Sequence, residues 1–159
     1  MRHRLRRLTA DYSMVYHAFS SHPHIKLLSA EGEPPEKYVF EFSLPSLVPG
    51  QKESPPVPGN VHRAEVYLPA DYPRRPPFAR MITPVYHPNI DPQKICIGDH
   101  WSAAQTLQQL VVQIAEMLCF QAYNVKSPLN AEAAVWVGQN LGRLPLLKAD
   151  LGAGSPQPS

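Results

Sequence analysis

A chain of 159 residues holds one domain's worth of hydrophobic core. At 43% hydrophobic and 18% charged it has an ordinary globular composition, and a formal net charge of +2 is too small to imply nucleic-acid binding. No apolar run approaches the ~20 residues that span a bilayer, which excludes a membrane-spanning helix.

The first periodic segment is residues 4–19, where Leu5, Leu8, Tyr12, Val15 and Phe19 form a helical stripe that His22-Pro23 ends. Arg2, Arg4, Arg6 and Arg7 crowd its start. They read as a solvated face or a partner-docking patch; the apolar stripe argues against a transit peptide. A short strand is expected over 24–30, a turn over 31–35, and an alternating strand over 38–44. Pro45 to Asn60, rich in Pro, Ser and Gly, reads as a long loop. The next strand, 61–68, turns His62, Ala64, Val66 and Leu68 to one side, and 79–83 is a plausible fourth. The whole chain carries 19 prolines, about 12% against a usual ~5%, and they fall between periodic segments as rigid punctuation.

From Thr106 the period changes. Thr106 and Gln109 have capping-box spacing, and Leu107, Leu110, Val111, Ile114, Met117 and Leu118 recur at helical intervals. A last helix is expected over 131–141, capped by Asn130 and ended by Gly142. Strands in one run and helices in another give an α+β domain: an N-terminal helix, a four-stranded antiparallel meander, an irregular loop, then helices. The domain is placed at 1–143, with 144–159 a tail that is at least partly disordered.

Chemistry concentrates in Tyr86-His87-Pro88-Asn89-Ile90 and the nearby Ile95-Cys96-Ile97. A thiol carries an acyl group well, and a neighbouring amide donor stabilises the oxyanion formed when that acyl group is attacked. A lone cysteine is most often a small buried hydrophobe. Cys96, however, follows an irregular segment, where functional residues are often found. Cys119, at the end of the apolar helix, reads as structural. His87, before a proline, reads as a holder of the turn and not as a base, and His100 is the only histidine near Cys96 in sequence. Seven His and two Cys show no zinc-type spacing, so no metal is expected. No phosphate-binding glycine loop exists, so ATP is not expected as a cofactor of this chain. Two cysteines without a CxxC pair suit a reducing cytoplasm.

These residues carry a resemblance. Ala70-Asp71-Tyr72-Pro73-Arg74-Arg75-Pro76-Pro77, the His-Pro-Asn segment, Ile95-Cys96, Trp101-Ser102-Ala103-Ala104-Gln105-Thr106-Leu107 and Pro128-Leu129-Asn130-Ala131-Glu132-Ala133-Ala134 run in one order over residues 4–141. In that order the chain resembles a ubiquitin-conjugating enzyme, with the UBC fold. The resemblance implies that Cys96 accepts a ubiquitin-like protein as a thioester from an activating enzyme, E1, which alone uses ATP. The modifier would then pass to an amine, usually a lysine, of a protein target. Asn89 would stabilise the oxyanion or hold the loop, Ser127 would line the nucleophile's approach, and Arg4 and Arg7 stand where the family docks E1. A catalytically inactive variant serving as a scaffold is the alternative; such variants lack the cysteine that this chain keeps.

The chain also departs from the family. Cys96 to Trp101 is a short link, with Gly98, Asp99 and His100 framing the cysteine, and the segment before Pro128 reads as longer. Arg74 and Ser102-Ala103-Ala104 replace a bulky apolar residue and Ser-Pro-Ala, which speaks against a RING-type ligase partner. Together they suggest a divergent member, of the kind expected in a bacterial ubiquitin-like conjugation operon.

Overall fold

The computed structural model describes residues 2–97 and 101–153. Helix α1 (Arg2–Phe19) leads into four strands, β1 (Ile25–Gly32), β2 (Pro35–Val48), β3 (Val57–Tyr67) and β4 (Phe78–Met81), followed by α2 (Leu107–Leu118) and α3 (Ala131–Gln139). The strands form one antiparallel sheet in the order β1-β2-β3-β4, the expected meander. Alternation decides which face is covered. Tyr38, Phe40 and Phe42 of β2 and His62, Ala64 and Val66 of β3 are buried beneath the helices, whereas Val61, Arg63 and Tyr67 face outward.

Both α1 and α2 pack on the inner face. Leu8, Val15 and Phe19 supply the buried stripe of α1, with Tyr12 half-buried; Leu5 is exposed. Helix α2 starts on the capping box: Thr106 Oγ1 accepts from the Gln109 amide at 3.1 Å, and Gln109 Oε1 accepts from the Thr106 amide at 3.0 Å.

The expected loop from Pro45 to Asn60 is shorter than its composition suggests. Strand β2 runs on to Val48 and β3 begins at Val57. The pairing register shifts between Ser43 and Ser46, and this irregularity holds Pro45, which has no amide to give the ladder. Gly59 faces the same irregular stretch, and a Cβ there would come within 2.8 Å of Val48 Cγ1.

Helix α3 also ends early. Asn140 takes the cap, its side chain donating to the Trp136 carbonyl, and a 3-10 turn over Leu141–Arg143 follows. Residues 144–153 lie against the domain. Leu151 is buried in the core, Gln121 Nε2 donates to the carbonyls of Leu147 and Ala149 at 2.7 Å, and His22 Nε2 bonds the Leu151 carbonyl at 2.8 Å.

One buried carboxylate ties the first helix to the site's scaffold. Asp11 accepts from Tyr72 Oη, from Arg7 Nε at 2.8 Å and from the Leu107 amide at 3.1 Å. Arg7 also donates to the carbonyls of Ala103 and Gln105 and lies over the Tyr72 ring, 5.0 Å from its centroid. Tyr72 tilts against Trp101, whose indole donates to the Pro73 carbonyl at 2.8 Å. Arg4 turns toward Glu36 and the Pro69 carbonyl. Both arginines expected to dock E1 thus make contacts within the fold, and Arg2 and Arg6 are exposed on the same helix.

Candidate active site

The His-Pro-Asn segment and Cys96 lie on one loop fixed from three sides. The Cys96 amide donates to the Asn89 carbonyl at 2.9 Å, and the Ile95 amide donates to Ala79 of β4 at 2.8 Å. Ile90, Ile95 and Ile97 are buried and pin the loop to the core. The Pro88 carbonyl accepts from the amides of Leu129 and Asn130 at 2.9 and 3.1 Å, so the loop is joined to the start of α3. Asn130 in turn caps α3 by accepting from the Ala133 amide at 3.0 Å.

His87 is fully buried. Its Nδ1 accepts the Asn89 amide at 3.0 Å, so its proton is on Nε2, which donates to the Met117 carbonyl at 2.8 Å. Desolvation lowers its pKa to about 4. A neutral ring with both nitrogens engaged cannot serve as a base. It is the peg on which the loop hangs, as its place before a proline suggested.

Asn89 is 6% exposed, and its carboxamide is held on both sides by one residue. Nδ2 donates to the Asn124 carbonyl at 2.8 Å, and Oδ1 accepts the Asn124 amide at 2.8 Å. A flipped amide would set donor against donor and acceptor against acceptor, so these partners fix its orientation. The NH₂ group has two hydrogens and Asn124 uses one. Asn89 can thus latch the 120–127 segment and still offer a donor.

That segment leaves α2 through Phe120, a non-glycine residue at φ 61°. The left-handed step lays the Phe120 ring on His87, centroids 4.9 Å apart at 26°, and Tyr123 packs edge-on against Phe120. A cavity of about 280 Å³ results beside half-buried Cys96. Asn89, Gln113, Asn124 and Ser127 give it polar walls, and Ile97, Met117, Ala122 and Tyr123 give it apolar ones.

The structure thus brings Cys96, Asn89 and Ser127 around one cavity, with His87 behind Asn89. Asp99 and His100, expected to frame the cysteine, lie outside the described residues. Cys119 is buried at the end of α2, where burial raises its pKa and keeps it a thiol. Phe120, Tyr123 and Asn124 were not legible as site residues: nothing local in the sequence ties Asn124 to Asn89, 35 positions away. Among the described residues no group of His, Cys, Asp and Glu can hold a metal, and no helix is long and apolar enough to cross a membrane.

Buried imidazoles make the fold acid-sensitive. Burial lowers the pKa of both His62 and His87, so between ~6.5 and about 4 the unfolded chain holds more protons than the folded one. Stability therefore rises with pH in that window and is lost progressively as pH falls through it. His87 alone is expected to contribute up to ~3 kcal/mol of this loss. Urea denaturation from pH 7.5 to 4.5 measures it; a flat profile would contradict the buried neutral rings.

The comparisons agree with this architecture. The family model described as ubiquitin-conjugating enzyme matches residues 22–143. A Drosophila melanogaster protein, "Ubiquitin-conjugating enzyme E2 N", is 39% identical over 95 residues, 57% of this chain and 61% of that protein. The Macaca fascicularis protein of the same name is 32% identical over 108 residues, covering 65% and 68% of the two chains. "Ubiquitin-conjugating enzyme E2 21" of Caenorhabditis elegans is 31% identical over 102 residues, covering 61% and 45%. The chain thus spans about three fifths of the length of the fly relative. All three are animal proteins, and the expected bacterial origin finds no support in them. With a family match over most of its length, and with the α+β architecture that its motifs implied, the chain belongs to the ubiquitin-conjugating enzyme family.

Proposed function

We propose that this chain is an active conjugating enzyme that carries a ubiquitin-like protein as a thioester on Cys96. The supporting observation is the shared cavity, lined by the half-buried Cys96 and by Asn89, whose carboxamide is latched on Asn124. In the first step the Cys96 thiolate attacks the thioester carbonyl of the modifier on E1. A new C–S bond forms and the E1 thiolate leaves. In the second, an amine of a protein target attacks the Cys96 thioester. A C–N bond forms, the Cys96 thiolate leaves, and the amine loses one proton to solvent. Asn89 donates to the oxyanion between these states, where one donor is worth ~10²–10³ in rate.

On this reading the chain needs no cofactor of its own, since ATP is consumed by E1. It works where ATP and reduced thiols coexist, as in the cytoplasm. Arg4 and Arg7 are the α1 cations proposed to meet E1, with Arg2 and Arg6 exposed on the same helix. RING-type ligases are not proposed as partners, because Arg74 and Ser102-Ala103-Ala104, all exposed, stand where the resemblance leads one to expect a bulky apolar residue and Ser-Pro-Ala.

The test is a non-reducing gel after incubation with ATP, E1 and ubiquitin. A shifted band that dithiothreitol removes is expected in the wild type and in Cys119→Ala, and no band in Cys96→Ala. A shift that survives in Cys96→Ala and disappears in Cys119→Ala would overturn the assignment.

A further inference from the structure

We infer that residues 144–153 are a positioning strap for the candidate site, and that Gln121 is the residue through which they set the 120–127 wall of the cavity. The inference rests on the transfer reading above and concerns its second step. The strap lies beyond the family match, which ends at residue 143.

The wall has little of its own to hold it. Phe120 is buried, but residues 122–127 are all exposed, and the next buried side chain is Ala133. A segment with few buried apolar contacts opens locally at small cost, so the bonds at its ends decide where it stays. On the cavity side Asn124 is latched to Asn89 by two bonds of 2.8 Å. At the root of the segment stands Gln121. Its amide and that of Ala122 both donate to the Glu116 carbonyl, at 2.9 and 3.2 Å. The side-chain NH₂ has two hydrogens and the strap takes both, through the carbonyls of Leu147 and Ala149 at 2.7 Å.

A side chain bonded to a free tail would position nothing. This strap is anchored on both sides of its bonds to Gln121. Before them, Leu144 packs on the cluster of Leu47, Phe120 and Val137, and so meets the residue that opens the wall. After them, Leu151 is buried in the core, its carbonyl is bonded by His22 Nε2 at 2.8 Å, and the turn at Leu151–Ala153 packs on α2. Cys96 is held independently, by its amide bond to the Asn89 carbonyl and by buried Ile95 and Ile97. Loss of the Gln121 bonds therefore shifts Tyr123, Asn124 and Ser127 relative to a thiol that stays in place. A displacement of about 1 Å can cost ~10²-fold in rate. The Asn124 latch survives the loss, so about a ten-fold fall in discharge is expected.

The experiment compares the wild type with Gln121→Met, which keeps the length of the side chain and removes both donor hydrogens. Three quantities are measured: charging with ATP, E1 and ubiquitin; single-turnover discharge of the charged protein onto free lysine; and hydrogen exchange at the amides of Asn124 and Lys126, which bond Asn89 Oδ1 and Asn124 Oδ1. Near-wild-type charging, discharge slowed about ten-fold and faster exchange at both amides are expected. Leu151→Ala, which loosens the strap's anchor in the core and leaves Gln121 in place, should reproduce the slow discharge and fast exchange well below its melting temperature. A lowered melting temperature in these variants with wild-type discharge would make the strap purely structural and overturns the inference. Slow discharge with retained amide protection also overturns it, since Gln121 would then act by a route other than the wall. Failure of the wild type to charge overturns the transfer reading, and the inference with it.

Discussion

Asn89→Ala is expected to slow discharge of the charged protein onto amine by about 10²-fold, while charging itself changes far less. Two losses combine. On the proposed mechanism, the donor hydrogen offered to the oxyanion disappears. The latch on Asn124 also disappears, and with it two hydrogen bonds of 2.8 Å that hold the 120–127 wall of the cavity. Amide hydrogen exchange at Lys126, whose amide bonds Asn124 Oδ1 at 2.7 Å and does not touch Asn89, separates them. Retained protection with slow discharge assigns the effect to the oxyanion; lost protection assigns Asn89 to positioning. Asn89→Asp adds a sharper probe, because its carboxylate still accepts the Asn124 amide but opposes the Asn124 carbonyl with no hydrogen. Wild-type discharge in Asn89→Ala would refute both roles.

The largest stability effect is expected at Asp11, far from the thiol. Asp11→Ala leaves Arg7, whose side chain is only 20% exposed, without its carboxylate, and strips the partner from Tyr72 Oη and from the first amide of α2. Removing one member of a buried pair strands the other charge, so a loss of about 3 kcal/mol is expected in urea denaturation. Glu41→Ala, which breaks the exposed pair with Arg63 on the outer face, should cost well under 1 kcal/mol. A loss at Asp11 no larger than at Glu41 would show that the cluster does not bind α1 to α2.

The difference between these two carboxylates marks where sequence reading stops. Alternation in β2 and β3 and the stripe of α2 predicted the sheet faces and the core, because burying apolar surface selects one register. The capping box and the Asn130 cap were legible because capping is local chemistry. Asp11 was not: an acidic residue beside the apolar stripe of α1 looks solvated until Tyr72 and Leu107 arrive from elsewhere in the chain. The proline-rich stretch misled for a related reason, since Pro45 is tolerated by a register shift that only the partner strand reveals. At the site, Cys96, Asn89 and His87 were legible from spacing and residue type. Their walls were not, because Phe120 reaches His87 through a left-handed backbone step that its residue type does not announce.

Cys96 as the acyl carrier is tested most directly by Cys96→Ser. A serine there accepts the modifier as an oxygen ester, with the same geometry and a different lability. Intact-mass analysis after incubation with ATP, E1 and ubiquitin should show one added ubiquitin that survives dithiothreitol and is released by mild base, mapped to position 96. An adduct on Cys96→Ser that dithiothreitol still removes would place the thioester on another residue and contradict Cys96 as the carrier.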